Sequence, residues 1–213
     1  MIFPSKCINC GAGGVELCDA CRGRLVWAVQ KCPECGKDSI GGWAHERCRR
    51  KLGLDGVFSL YKYDKLMQEI VKAVKYRFRR DLLRLCMPKD GPEPVFRDID
   101  VVVPTPLHKR RENWRGFNQA EELGKVLVEL WDLPMERLLL RRRMTKPVAE
   151  MDRAEERKKE LGGAFVLDAN KGVAGKRILL IDDVFTSGAT MGEMTRVLKK
   201  NGAVWVGGWA LAS

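Results

Sequence analysis

No uninterrupted apolar run in these 213 residues approaches the ~18 that a membrane-spanning helix needs. The opening MIFPSKCINC also lacks the apolar core of a secretory signal. Together these absences predict a cytoplasmic protein that does not insert into a membrane. Histidine is scarce, His45 and His108 being the two, and after residue 48 cysteine is reduced to Cys86 alone. Repeats and low-complexity tracts are absent, and 45% hydrophobic residues exclude a disordered chain. Acidic residues are outnumbered, 28 against 39 Lys and Arg, for a formal charge of +11. That balance favours polyanionic ligands without choosing among nucleic acid, nucleotides and pyrophosphorylated sugars. The basic residues gather at 47–51, 72–84, 109–115 and 141–146, where solvated helix faces are the ordinary alternative.

The cysteine skew predicts a boundary near residue 52, with a small module over 1–52 and a larger domain over 53–213. In the larger part, apolar strands alternate with amphipathic helices. Strands are predicted at 56–63, 99–103, 138–141, 177–181 and 204–211, and helices at 66–85, 118–130 and 189–201, with a loop over 87–94 and a polar linker over 145–160. Buried strands separated by helices imply an α/β domain with a parallel sheet flanked by helices.

The module holds four pairs of metal-ligand spacing: Cys7/Cys10, Cys18/Cys21, Cys32/Cys35 and His45/Cys48, each with two residues between its members. Such a knuckle lets two side chains grip one tetrahedral ion. The simplest assignment is sequential, the first two pairs on one zinc and the last two on another, the pattern of a double zinc ribbon. Disulfides do not suit a chain without a secretion signal, and redox Cys-x-x-Cys pairs need a βαβ context missing here. So short a segment buries little core, which makes the zinc structural.

The most informative stretch is ILLIDDVFTSGAT, residues 178–190. A buried strand delivers Asp182 and Asp183 at its carboxyl end, where ligands of parallel sheets sit. The backbone of Phe185, Thr186, Ser187, Gly188, Ala189 and Thr190, with three hydroxyls, can then wrap a phosphate at a helix start. The acids would accept from vicinal ribose hydroxyls or bind Mg²⁺ through water. It is neither a Walker loop nor a Rossmann fingerprint. An ordinary capped turn explains the hydroxyls but not two acids ending a buried strand, whose charge needs compensation.

This stretch resembles the signature of the type I phosphoribosyltransferases, which bind phosphoribosyl pyrophosphate (PRPP) with Mg²⁺. With the cysteine-rich start, the chain resembles the ComF family, linked to DNA uptake in competent bacteria. The resemblance implies a type I phosphoribosyltransferase-like fold and transfer of a phosphoribosyl group with release of pyrophosphate. It also implies roles for VPTPLHKRRENWRGFNQA, residues 103–120: Thr105, Leu107, His108, Arg111 and Arg115 would line the pyrophosphate, with Lys109 and Arg110 as catalytic cations beside Asp182 and Asp183. Asn118 serves equally as a helix cap. Thr145, Lys146, Arg153 and Arg157 match the family's mobile loop, while Val148 and Glu160 stand where an amide is usual. Lys75 matches a family position, or is one more solvated helix lysine. A rival expectation is a non-catalytic PRPP sensor or adaptor that binds single-stranded DNA or a DNA-processing helicase, with Trp27, Trp43 and Trp114 as stacking platforms.

Overall fold

The structure is a computed structural model that describes residues 5–88, 96–145 and 154–213, and only the backbone at 154, 155, 157 and 158. Lys146 and Arg153, with Val148 and most of the loop expected over 87–94, lie outside the described residues. After a short helix α1 (Asp19–Arg22) the chain runs β1 (Gly56–Tyr61), α2 (Lys65–Arg77), α3 (Asp81–Leu85), β2 (Val101–Pro104), α4 (Lys109–Arg115) and α5 (Gln119–Trp131). It continues through β3 (Leu139–Arg141), α6 (Ala154–Leu161), β4 (Phe165–Leu167), β5 (Arg177–Val184), α7 (Ala189–Lys200) and β6 (Trp205–Ala212). Among the described residues, β1, β6, β5 and β2 form a sheet in that order, every pairing parallel.

Successive residues of each strand enter different cores, as the period of two requires. Leu179 and Ile181 join Val102, Trp209 and the buried faces of α2, α3 and α5, whereas Ile178 and Leu180 join Val101, Val103, Val206 and α7. The sheet is therefore covered on both faces, as its unbroken apolar strands imply. No described helix is long and apolar enough to cross a membrane.

Four local features differ from the sequence expectation. The helix expected over 66–85 is broken into α2 and α3 at Phe78, which takes the left-handed conformation (φ 57°) and donates its N–H to the Ala73 carbonyl, a helix-ending geometry usually given to glycine. The run after Pro106 forms the helix α4, entered through His108, whose Nδ1 accepts from the Arg110 N–H at 3.3 Å, and closed by Gly116. The strand near 138–141 does not join the parallel sheet but pairs antiparallel with β4 as a separate two-stranded ribbon. The stretch 145–160, expected to be polar linker, carries most of α6.

Both ribbon halves dock on the α/β part, at different places. Cys7, Leu17, Cys21 and Leu25 share the core of α2, and Arg79 ties in that half by donating to Glu16 (2.9 Å) and to the Lys6 carbonyl. The second half lies against the sheet: Trp43 bridges to Gly56 and packs edge-on against Phe96 and Trp205. Gly42 (φ 76°) permits this approach, since a Cβ there would lie 1.8 Å from the Val57 carbonyl oxygen. Trp43 thus packs the second half onto the sheet.

Candidate functional site

The parallel sheet brings its carboxyl ends to one edge, and part of the predicted site assembles there. Tyr63 follows β1, Thr105 follows β2 and donates its N–H to the Ile181 carbonyl (2.8 Å), and Asp182 and Asp183 close β5. These residues line a cavity of about 420 Å³ with Lys75, Tyr76, Leu107, Arg111, Trp114, Arg115, Gln119, Arg141, Thr186 and Thr190.

The acid pair is asymmetric. Asp183 is buried, and Lys75 from α2 puts its Nζ 2.5 Å from the Asp183 carboxylate. Burial alone would raise Asp183, but Lys75 outweighs it and holds the carboxyl below its ordinary value. Asp182 has no such ion pair among the described residues. Burial, then the neighbouring Asp183 charge, push it up to about 8. Burial alone would lower Lys75, yet the Asp183 charge raises it above the ordinary lysine value. The lysine left open in the sequence between a family position and a solvated helix face is therefore an ion-paired wall of the cavity.

The opposite wall is cationic. Arg115 is 8% exposed and donates to the Gln119 side-chain oxygen, with burial lowering its pKa. Arg111 donates to the Thr145 carbonyl (2.6 Å) and Arg141 to the Thr145 hydroxyl; burial, then the Arg111 charge, bring Arg141 down to about 10. Three buried polar atoms here have no partner among the described residues: Arg115 Nε, Arg141 Nε and the Oγ1 of Thr105, itself 5% exposed. Buried polar groups are normally satisfied, so the wall is short of an acceptor and a donor that a polar ligand would supply.

The turn after β5 stands beside this cavity. Phe185 extends the ladder by donating to the Ala212 carbonyl (2.8 Å), and Gly188 enters α7 with φ 70°. A Cβ on Gly188 would lie 3.0 Å from the Phe185 ring and 3.7 Å from the Pro33 carbonyl oxygen. Phe185, Gly188 and Ala189 line a small pocket at the turn with Asp182, Thr186 and Thr190, while Phe185, Thr186 and Ser187 also border a groove of about 820 Å³ shared with Trp27, Val29 and the knuckle Cys32–Cys35.

The predicted cations divide between two cavities. Thr105, Leu107, Arg111 and Arg115 lie with the acids, whereas His108, Lys109 and Arg110 line a neighbouring cavity of about 550 Å³ with Arg137, Leu139, Leu140 and Arg142. Leu107 and Arg141 belong to both. Helical phase makes the division, because Arg111 and Arg115 are four apart on one face of α4. Asn118 caps α5, accepting from Ala120 N–H (3.0 Å) and donating to the Thr105 carbonyl (2.9 Å). Of the residues matched to a mobile loop, Thr145 is buried against Arg111 and Arg141, Arg157 lies in α6, and the others fall outside the described residues. Lys75 carries an ambiguous signal in the sequence; Arg141, Tyr63, Tyr76 and Gln119 carry none, since their approach depends on how the helices cover the strand ends.

The two metal groups assemble sequentially. The ligand atoms of Cys7, Cys10, Cys18 and Cys21 lie within 4.8 Å of one another, as do those of Cys32, Cys35, His45 and Cys48. All eight cysteines are free thiols. The donors fit zinc. Burial would raise the Cys7 and Cys32 thiols, but knuckle N–H groups aimed at the sulfurs outweigh it, bringing them down to about 6 and about 7. His45 directs Nε2 to the Asp38 carbonyl (3.1 Å), leaving Nδ1 toward Cys35 (3.4 Å), the outer hydrogen bond that ordinarily orients a ligating imidazole.

Fold and site together define a class: a parallel α/β domain with an acid pair and a hydroxyl-rich turn at its strand ends, carrying a double zinc ribbon. The model of the double zinc ribbon domain matches residues 1–51. Competence protein F of Haemophilus influenzae is 32% identical over 99% of this chain and 97% of its own length. Competence protein ComFC of Bacillus subtilis is 29% identical over 88% of this chain and 79% of its own. The chain belongs to the competence protein F, or ComF, family. Among solved structures, the glutamine PRPP amidotransferase of Bacillus subtilis complexed with ADP and GMP aligns at 19% identity and a TM-score of 0.38. That alignment covers 56% of this chain and 23% of the enzyme, a similarity too low to argue from.

Proposed function

We propose that this chain binds PRPP with Mg²⁺ at the carboxyl ends of β2 and β5 and transfers its phosphoribosyl group to a nitrogen acceptor, in the service of DNA uptake. The observation that carries the reading is the acid pair facing a cationic wall with unpartnered polar atoms, beside a hydroxyl-rich turn at the start of α7. The 5′-phosphate would rest on residues 185–190, the ribose hydroxyls on Asp182 and Asp183, and the pyrophosphate against Thr105, Arg111 and Arg115. Lys109 and Arg110 would act from the adjoining cavity on the same loop. Transfer forms the bond from nitrogen to C1 as the C1–O bond to pyrophosphate breaks, the electron pair leaving on the pyrophosphate oxygen. Arg111, Arg115 and Arg141 stabilise the charge that develops there. Mg²⁺ would supply further neutralisation of the leaving group, and Asp182, since the direct Lys75 contact goes to Asp183, is the carboxylate suited to hold it. The competence names of the relatives support the biological setting.

Titration calorimetry of PRPP with Mg²⁺ tests the reading. Saturable binding is expected in the wild type, with a loss of at least about a hundredfold in an Asp182→Ala, Asp183→Ala double variant, from two charge-assisted contacts of about 1.5–3 kcal/mol each. Absence of binding to folded, zinc-replete wild type would overturn it. Binding with no pyrophosphate release for any acceptor would favour a PRPP sensor.

The affinity should also depend on pH. Because the Asp182 carboxyl is held up to about 8 in the free site and would be needed ionised, ligand binding must expel a proton below that pH. Affinity should rise toward tenfold per pH unit between about pH 6 and 7.5, flattening above about 8. Asp182→Asn should remove most of the slope; a slope unchanged in that variant assigns the proton elsewhere.

A further inference from the structure

Large aromatic side chains are normally buried, and a cluster left exposed beside a cavity marks a binding surface. Tyr76 from the last turn of α2, Phe78 at its left-handed end and Trp114 from α4 make such a cluster. Trp114 lies 6.4 Å from Tyr76 and 5.8 Å from Phe78, centroid to centroid. The three remain 58%, 49% and 61% exposed. Their position is specific. Tyr76 and Trp114 line the cavity of Asp182 and Asp183, and Phe78 backs Trp114 from outside. The break at Phe78 is what brings that ring there, in a backbone conformation unfavourable for a bulky residue.

We infer that Tyr76, Phe78 and Trp114 form a stacking ledge for a flat, nitrogen-containing heterocycle that is the acceptor of the transfer; this rests on the proposed function above. A ring face suits a flat π-system. The transfer itself sets the other requirement, a ring nitrogen with a lone pair to attack C1, while Arg111, Arg115 and Arg141 are left to the pyrophosphate. A ring on the ledge would share the cavity of the acid pair, beside the ribose held there.

The test uses the full, zinc-replete chain with free adenine, hypoxanthine and uracil as probes, each titrated by calorimetry with and without PRPP and Mg²⁺. Saturable binding of at least one base is expected, weakened at least about fivefold by Trp114→Ala and by Tyr76→Ala and largely retained in Trp114→Phe. Trp114 is exposed, so its replacement should leave folding intact, which thermal unfolding of the variant checks. Binding of PRPP but of no base overturns the ledge while leaving the proposed function standing. Base binding indifferent to Trp114→Ala, or aromatic-dependent binding of a single-stranded oligonucleotide with none of the free bases, overturns it as well. Loss of PRPP binding in the wild type would instead sink the proposed function.

Discussion

Replacing Cys32 with serine is expected to release the second zinc and, with it, the order of the turn that follows β5. Cys32 is buried, and its partners Cys35, His45 and Cys48 approach within 4.8 Å of it and of one another. A structural zinc site contributes on the order of 10 kcal/mol to the fold it closes, far more than so short a ribbon can recover by packing. The effect should travel because the knuckle is a neighbour of the site: the Pro33 carbonyl oxygen lies beside Gly188, and Cys32 and Cys35 share a groove with Phe185, Thr186 and Ser187. Zinc content should fall from two ions to about one per chain, and amide exchange at residues 185–190 should accelerate about tenfold or more. Cys18→Ser should also lose about one zinc but leave that turn protected, because the first ribbon half docks on α2 and Arg79 instead. Equal exchange at the turn in the two variants would show that the second knuckle does not support it.

The second large effect concerns Lys75. Lys75→Met is expected to destabilise the protein by about 3–5 kcal/mol near pH 7, because it leaves the ionised Asp183 buried without its counter-charge. In a chain of this length that is a fall of roughly 10 °C in melting temperature. Asp183→Asn should behave similarly by stranding the ammonium. The double variant Lys75→Met, Asp183→Asn should recover most of the loss, since two neutral groups have no desolvated charge to compensate. Thermal unfolding of the four proteins in one buffer decides the matter: additive losses would mean that the 2.5 Å contact is not an energetic pair.

These two cases mark where the sequence is legible. The zinc ligands could be read because a knuckle is local: two residues between ligands set the grip, and sequential pairing of the four knuckles needs no distant information. Asp182 and Asp183 could be read because a run of unbroken apolar residues ending in two acids already states its own conflict with burial. The capping role of Asn118 is likewise written beside the helix it starts.

What the sequence by itself determined is therefore the local chemistry: the metal-binding pairs, the parallel α/β alternation, the acid pair and the turn that follows it. Tertiary structure alone decided which cations face the acids. Lys75 became the partner of Asp183 because α2 carries it to the end of β5, and Arg111 and Arg115 were parted from Lys109 and Arg110 because residues 109–115 coil into a helix. The left-handed break at Phe78, which a helical apolar stripe conceals, then set Phe78 beside Trp114. Spacing along a chain encodes contacts within a turn or a knuckle; contacts between elements depend on how their faces bury together, and the charge pattern of one segment does not contain that information.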